Sequence, residues 1–187
     1  FGAALNLYEG ETAVLNNQFF NNYGRFGGAI YIFSTGTSQI EHNLFVDNFT
    51  QVGSGLAYGS SAIYAYRGTI NLNSNQYYGN STSLFDNSPA DVIGVFLAEV
   101  NATNEIIANS EDSGGDDSGV YAAIRVERGQ FNGQHITIAN NAEFAIRNEE
   151  GFATLSDSII SGHETAAFDG PVISSRNLFH NSTACTP

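Results

Sequence analysis

The chemistry-bearing residues of this chain fall into three groups. The densest is Glu111-Asp112-Ser113-Gly114-Gly115-Asp116-Asp117-Ser118-Gly119, where carboxylates set among small flexible residues could wrap a hard cation with oxygen ligands. On this reading Asp112, Asp116 and Asp117 hold Ca²⁺. The segment has neither EF-hand spacing nor the Gly/Asp nonapeptide repeat, and its plainer counterpart is a solvated acidic loop. Asp86 and Asp91 add charge to a second loop. Glu127 and Glu149 form another group: on adjacent turns of a repeat they could approach the carboxylate separation of about 5 Å used by retaining glycosidases. That chemistry needs a cleft and one raised pKa. With Arg125 and Arg147 two residues upstream, surface ion pairs are the simpler expectation.

The third group is aromatic. Tyr31/Phe33 and Tyr64/Tyr66 are pairs two residues apart, the spacing that puts both rings on one face of a strand, and Tyr8 sits at an equivalent place. Exposed, these five rings could stack on sugars or anchor a protein partner; otherwise they are cross-strand pairs that stabilise a sheet.

Other chemistries find no support. His42, His135, His163 and His180 have no i, i+4 or Cys partner for a zinc site or triad, and Cys185 is alone, so no disulfide framework can form within the chain. The glycines follow a repeat rather than a phosphate-cradling turn. The net charge of −13 argues against nucleic acid and fits cations or neutral sugars as partners. The longest apolar stretch, Val92 to Val100, is broken by Gly94 and Glu99, well short of the roughly 20 residues that span a bilayer. Asn48, Asn80, Asn101 and Asn181 lie in Asn-x-Ser/Thr sequons, which chance explains about as well as glycosylation in so Asn-rich a chain.

The elements that position these groups follow from composition and repetition. There are 21 Asn and 20 Gly, while Met, Trp and Lys are absent, a mixture for short strands and many turns rather than helices. An aromatic or Ile followed three residues later by Asn recurs at Phe19/Asn22, Phe45/Asn48, Tyr77/Asn80, Ile106/Asn109 and Ile138/Asn141, with degenerate copies at Ile159/Gly162 and Phe179/Ser182. About 15 residues upstream of most copies stands a small-small-aliphatic signal, as in Gly27-Gly28-Ala29-Ile30 and Ala122-Ala123-Ile124. The fourth copy is blurred to Gly94-Val95-Phe96 and the last to Gly170-Pro171-Val172. A period of 20 to 32 residues built of short strands and Asn/Gly turns is a solenoid signature, because each coil can bury its apolar face only against its neighbours. The recurring Asn is expected at left-handed corners, with its amide bonded to the Asn of the next coil.

Pairing Gly27-Gly28-Ala29-Ile30 with Phe45-Val46-Asp47-Asn48 resembles the repeat of the chlamydial polymorphic outer-membrane proteins. That resemblance implies an autotransporter-like β-helix passenger acting as a surface adhesin. Gly115-Asp116-Asp117 is also similar to the double-Asp segment of polygalacturonases, although no Arg-Ile-Lys follows and Gly162-His163 lies two coils on. Likeness to pectate lyases would nominate Arg125 or Arg128 beside Ca²⁺, with nothing local to single out either.

The expectation is an all-β, right-handed parallel β-helix of about seven coils. It fills residues 1–187 as one domain, and its opening Phe1-Gly2-Ala3 reads as mid-repeat, a segment of a longer surface protein. Strand alternation turns Leu5/Leu7, Ile30/Ile32, Ile63/Ala65, Phe96/Ala98 and Ile124/Val126 inward. Two outward ladders follow: Asn6, Tyr31, Tyr64, Leu97, Arg125, Arg147, and Tyr8, Phe33, Tyr66, Glu99, Glu127, Glu149. Insertions at about 49–60, 81–92 and 110–121 are expected at one corner. The expected role is non-catalytic and extracellular or at the cell surface: an adhesin, a module binding glycan or a neighbouring or host surface protein, or a structural segment whose ends are capped by adjoining segments or subunits. The alternative is a polysaccharide lyase or glycoside hydrolase.

Overall fold

The computed structural model describes residues 4–52, 59–84, 90–110, 121–141, 143–163 and 165–181. These residues form strands and bends that wind through seven coils of a parallel β-helix. The first sheet stacks Leu5–Tyr8, Ile30–Phe33, Gly59–Tyr66, Ala90–Phe96, Tyr121–Glu127, Phe144–Glu149 and Ala166–Asp169. The second stacks Thr12–Leu15, Thr37–Glu41, Thr69–Asn73, Glu99–Thr103, Gln130–Gln134, Phe152–Ser156 and Val172–Ser175. The third stacks Gln18–Phe20, Leu44–Val46, Gln76–Tyr78, Ile106–Ala108, Thr137–Ala139, Ile159–Ser161 and Leu178–His180. A short corner sheet joins Tyr23–Gly24, Phe49–Val52 and Ser81–Leu84. Among the described residues every strand pairing is parallel, so each strand meets its equivalent one coil away, as a solenoid requires.

Alternation along each strand turns alternate residues inward, where like meets like. In the first sheet Leu5, Ile30, Ile63, Ile93, Ile124, Ile146 and Phe168 stand in register. In the third, Phe19, Phe45, Tyr77, Ile107, Ile138, Ile160 and Phe179 do the same, with the first three rings stacked at 4.8 Å. These ladders and those of the second sheet form one continuous core. Each fully buried side chain contributes about 1.5–3 kcal/mol of apolar burial.

Three expected placements shift. In the fourth coil Ile93 and Val95 point inward, Phe96 points out in register with Tyr66 and Glu127, and Leu97 is an exposed left-handed corner residue with φ 54°. The inward signal of that coil is therefore Val92-Ile93, not Gly94-Val95-Phe96, and its pairing with Gly59–Tyr66 shifts register between Asp91 and Ile93. In the third sheet the inward residues of coils four and six are Ile107 and Ile160, one later than Ile106 and Ile159. Two consecutive isoleucines at each place make the sequence equivocal; only the neighbours' register decides.

The ends of the first two expected insertions are strand: 49–52 and 81–84 belong to the corner sheet, and 59–60 and 90–92 to the first. Asp91 consequently sits on a first-sheet strand, not in a loop. The expected metal ligands Asp112, Asp116 and Asp117, together with Asp86, Glu111 and Cys185, lie outside the described residues.

Candidate functional site

The outward side of the first sheet carries two ladders. One reads Tyr8, Phe33, Tyr66, Phe96, Glu127, Glu149 and the other Asn6, Tyr31, Tyr64, Gly94, Arg125, Arg147, Asp169. The structure thus brings together all five aromatics expected from sequence, and adds Phe96, whose signal was its place two residues after Gly94. Phe33, Tyr66 and Phe96 stack at centroid separations of 5.2 Å with ring tilts near 10°. Tyr8, 52% exposed, is tilted by 45° against Phe33. The Arg67 guanidinium lies 6.0 Å from the Phe33 centroid and 5.3 Å from that of Tyr66, within cation–π range.

Tyr31 and Tyr64 depart from the expected exposure. They point outward yet retain only 7% and 3% of their accessible surface. Their rings stack at 5.9 Å, and Phe26 packs over both at 5.9 and 6.1 Å. Burial pushes both phenols above their ordinary pKa. The accessible part of the aromatic surface is therefore the Tyr8–Phe33–Tyr66–Phe96 ladder.

Beyond the fourth coil the face becomes charged and partly sealed. Arg125 Nε lies 3.3 Å from Asp91 Oδ2, and its Nη2 lies 3.7 Å from Glu127 Oε2; all three residues are buried. Gly94 makes the room: a Cβ there would stand 2.3 Å from Ser60 Oγ and 3.0 Å from Asp91 Oδ1. Burial pushes the Asp91 carboxyl up to about 7, against the pull of Arg125 and Ser60. One coil on, Arg147 Nε pairs with Glu149 Oε1 at 2.6 Å and Asp169 Oδ2 at 3.3 Å. Glu127 and Glu149 are indeed neighbours in register, but each is engaged by an arginine and Glu127 is buried. A shallow depression of about 430 Å³, lined by Glu11, Thr12, Ala13, Thr37 and Gln39, lies on the second sheet and holds no carboxylate pair.

The recurring asparagines are internal fasteners. The backbone N–H of Asn48 donates to Asn80 Oδ1 at 3.1 Å, and Asn80 Nδ2 donates to the Phe45 carbonyl at 3.0 Å. Asn22 and Asn48 repeat the first contact, as do Ser110 and Asn141. Of these asparagines Asn109 adopts the expected left-handed conformation; at the other corners it belongs instead to the residue before, Asn21, Asp47, Gly79 and Asn140. Asn48 and Asn80 are fully buried, which removes both sequons from reach of a glycosyltransferase in the folded chain. Asn101, in contrast, lies half-buried on the outer second sheet, bonded to Asn71 and Asn132.

A second fastener at the preceding corner went unread in the sequence. It runs through Asn17, Asn43, Asn75 and Glu105, each donating its backbone N–H to the side-chain oxygen of the next. Its signal is a polar residue two places before each inward aromatic or Ile: Asn17 to Phe19, Asn43 to Phe45, Asn75 to Tyr77 and Glu105 to Ile107. Glu105 is the odd member. Its Oε1 accepts from Asn75 N and Nδ2, Tyr77 approaches it, and burial pushes its carboxyl up to about 8.

Among the described residues no group of three or more His, Cys, Asp or Glu gathers as a metal would need, and no helix is long and apolar enough to cross a membrane. Comparison with family models, curated proteins and solved structures yields no match.

Proposed function

We propose that this chain is a non-catalytic, extracellular or cell-surface β-solenoid whose first sheet is an adhesive face. The observation that carries the reading is the partly exposed ladder Tyr8, Phe33, Tyr66 and Phe96, held rigid by stacking on four successive coils. Rigid aromatic rows of this kind supply binding area at little entropic cost. Because Phe33, Tyr66 and Phe96 stack face to face, they offer their edges outward; this favours a partner that inserts side chains along the row, hence a surface protein. Within this row a glycan finds its most exposed ring at Tyr8, which is tilted against Phe33. The likeness of Gly27-Gly28-Ala29-Ile30 and Phe45-Val46-Asp47-Asn48 to surface β-helix repeats supports placing the chain outside the cell. A hydrolase or lyase would need open carboxylates, whereas Asp91 and Glu127 are buried against Arg125.

The test is a titration of labelled chain onto intact cells and a glycan array, with reducing ends measured in the same wells. Replacing Phe33→Ala together with Tyr66→Ala is expected to weaken binding at least tenfold without new reducing ends. Binding equal to wild type in that variant overturns the adhesive face, and release of new ends overturns the non-catalytic reading.

A further inference from the structure

The outer side of the third sheet differs from the other two. Its outward residues form two columns, Gln18, Leu44, Gln76, Ile106, Thr137, Ile159, Leu178 and Phe20, Val46, Tyr78, Ala108, Ala139, Ser161, His180. No Asp, Glu or Arg occurs in either, although the chain carries a net charge of −13. Phe20, Ile159 and Leu178 are 46%, 45% and 61% exposed. An acidic molecule repels its own copies over most of its surface, but two copies can approach through this strip without desolvating charge.

In coils two to six the side chains are also distributed so that the strip fits itself, while at its ends Phe20 faces His180. Along the second column the bulky residues Phe20, Val46 and Tyr78 occupy coils one to three, and the small residues Ala108, Ala139 and Ser161 occupy coils four to six. A two-fold axis along the strand Ile106–Ala108 sets coil one against coil seven and coil three against coil five. Tyr78 then meets Ala139, Val46 meets Ser161, Leu44 meets Ile159, and Ile106 meets its own copy. At the rim the same operation sets His42 beside Asp157, whose carboxylate Arg176 holds. Self-complementarity of one patch is what a two-fold dimer requires.

We propose that the third sheet is the interface of a homodimer in which two solenoids pack antiparallel, face to face. The proposal is independent of the adhesive first sheet, which it leaves open. Seven strands at about 4.8 Å and three residues at about 3.3 Å give a strip of only about 300 Å², below the roughly 800 Å² per partner of a stable complex. Association is therefore weak and set by concentration.

Sedimentation equilibrium of the 187-residue chain over a wide concentration range tests this. The average mass is expected to rise from 20.0 kDa toward twice that value. Ile106→Glu, which sets two like charges together on the axis, and Ala139→Arg, which fills the space facing Tyr78, are each expected to weaken dimerisation at least tenfold. Asn132→Arg, on the second sheet, is expected to leave it unchanged. Circular dichroism confirms that the variants remain folded. A chain that stays monomeric throughout, or an assembly that survives both third-sheet variants, overturns the proposal.

Discussion

At the scale of single residues, burial governs the two carboxylates that matter most to pH. Glu105 occupies a place that Asn fills in the three coils before it, so a titratable group replaces a neutral amide inside a fastener. Its folded pKa of about 8 lies above the 4.5 of an ordinary glutamate, so the folded chain binds the proton more tightly than the unfolded one. The stability this contributes is complete below pH 4.5 and is lost progressively as pH rises through 8, by at most about 1.4 kcal/mol per pH unit. Thermal melts of Glu105→Gln should show a flatter decline over that range and a higher Tm than wild type at pH 9. A variant whose pH profile overlays wild type would refute the assignment. Part of the decline should persist in Glu105→Gln, because Asp91, raised to about 7 from 3.8, contributes with the same sign over its own lower window. Neither carboxylate was legible as special in the sequence. Desolvation depends on where neighbouring coils put their atoms: Arg125 comes from the next coil, and Asp91 Oδ1 lies 3.0 Å from where a Cβ on Gly94 would stand.

At the scale of elements, the corners are held by amides and shaped by the residues before them. Removing the Asn80 side chain deprives the Asn48 N–H and the Phe45 carbonyl of buried partners. Asn80→Ala should therefore cost about 2–4 kcal/mol, since each orphaned group costs roughly 1–3 kcal/mol. Asn101→Ala, on the outer second sheet where water can replace the lost bonds, should cost less than about 1 kcal/mol. Equal losses in urea unfolding would contradict an internal fastener. The spacing of inward aromatics and following asparagines made the coil count and the third sheet readable. What the spacing could not show was division of labour at the corner: the left-handed bend falls to Asp47 or Gly79, and the bonding to Asn48 or Asn80. Both residue types favour turns, so propensity alone does not separate the roles. Coil four was misread for a related reason. Val92-Ile93-Gly94-Val95-Phe96 offers two alternations, and pairing of Ile93 with both Ile63 and Ile124 selects the earlier one.

At the scale of the whole molecule, stability is a sum over coils and their interfaces, because each coil touches little beyond its neighbours. The Ile30–Ile63–Ile93–Ile124–Ile146 ladder runs through the middle of that stack, and Ile124 is fully buried. A carboxylate there lies between Ile93 and Ile146 with no cation in the inward column, so Ile124→Asp should cost roughly 3–5 kcal/mol. The loss should be shared unevenly. Amide hydrogen exchange is expected to accelerate most in coils four to six, where both interfaces of the fifth coil are broken, and least in coils one and two. Phe152→Asp, a substitution on the outer second sheet at a residue already 48% exposed, should leave exchange in the core unchanged. If Ile124→Asp instead accelerated all seven coils equally, the molecule would be a single cooperative unit rather than a stack. The nearest-neighbour picture would then give way to long-range coupling along the core ladders.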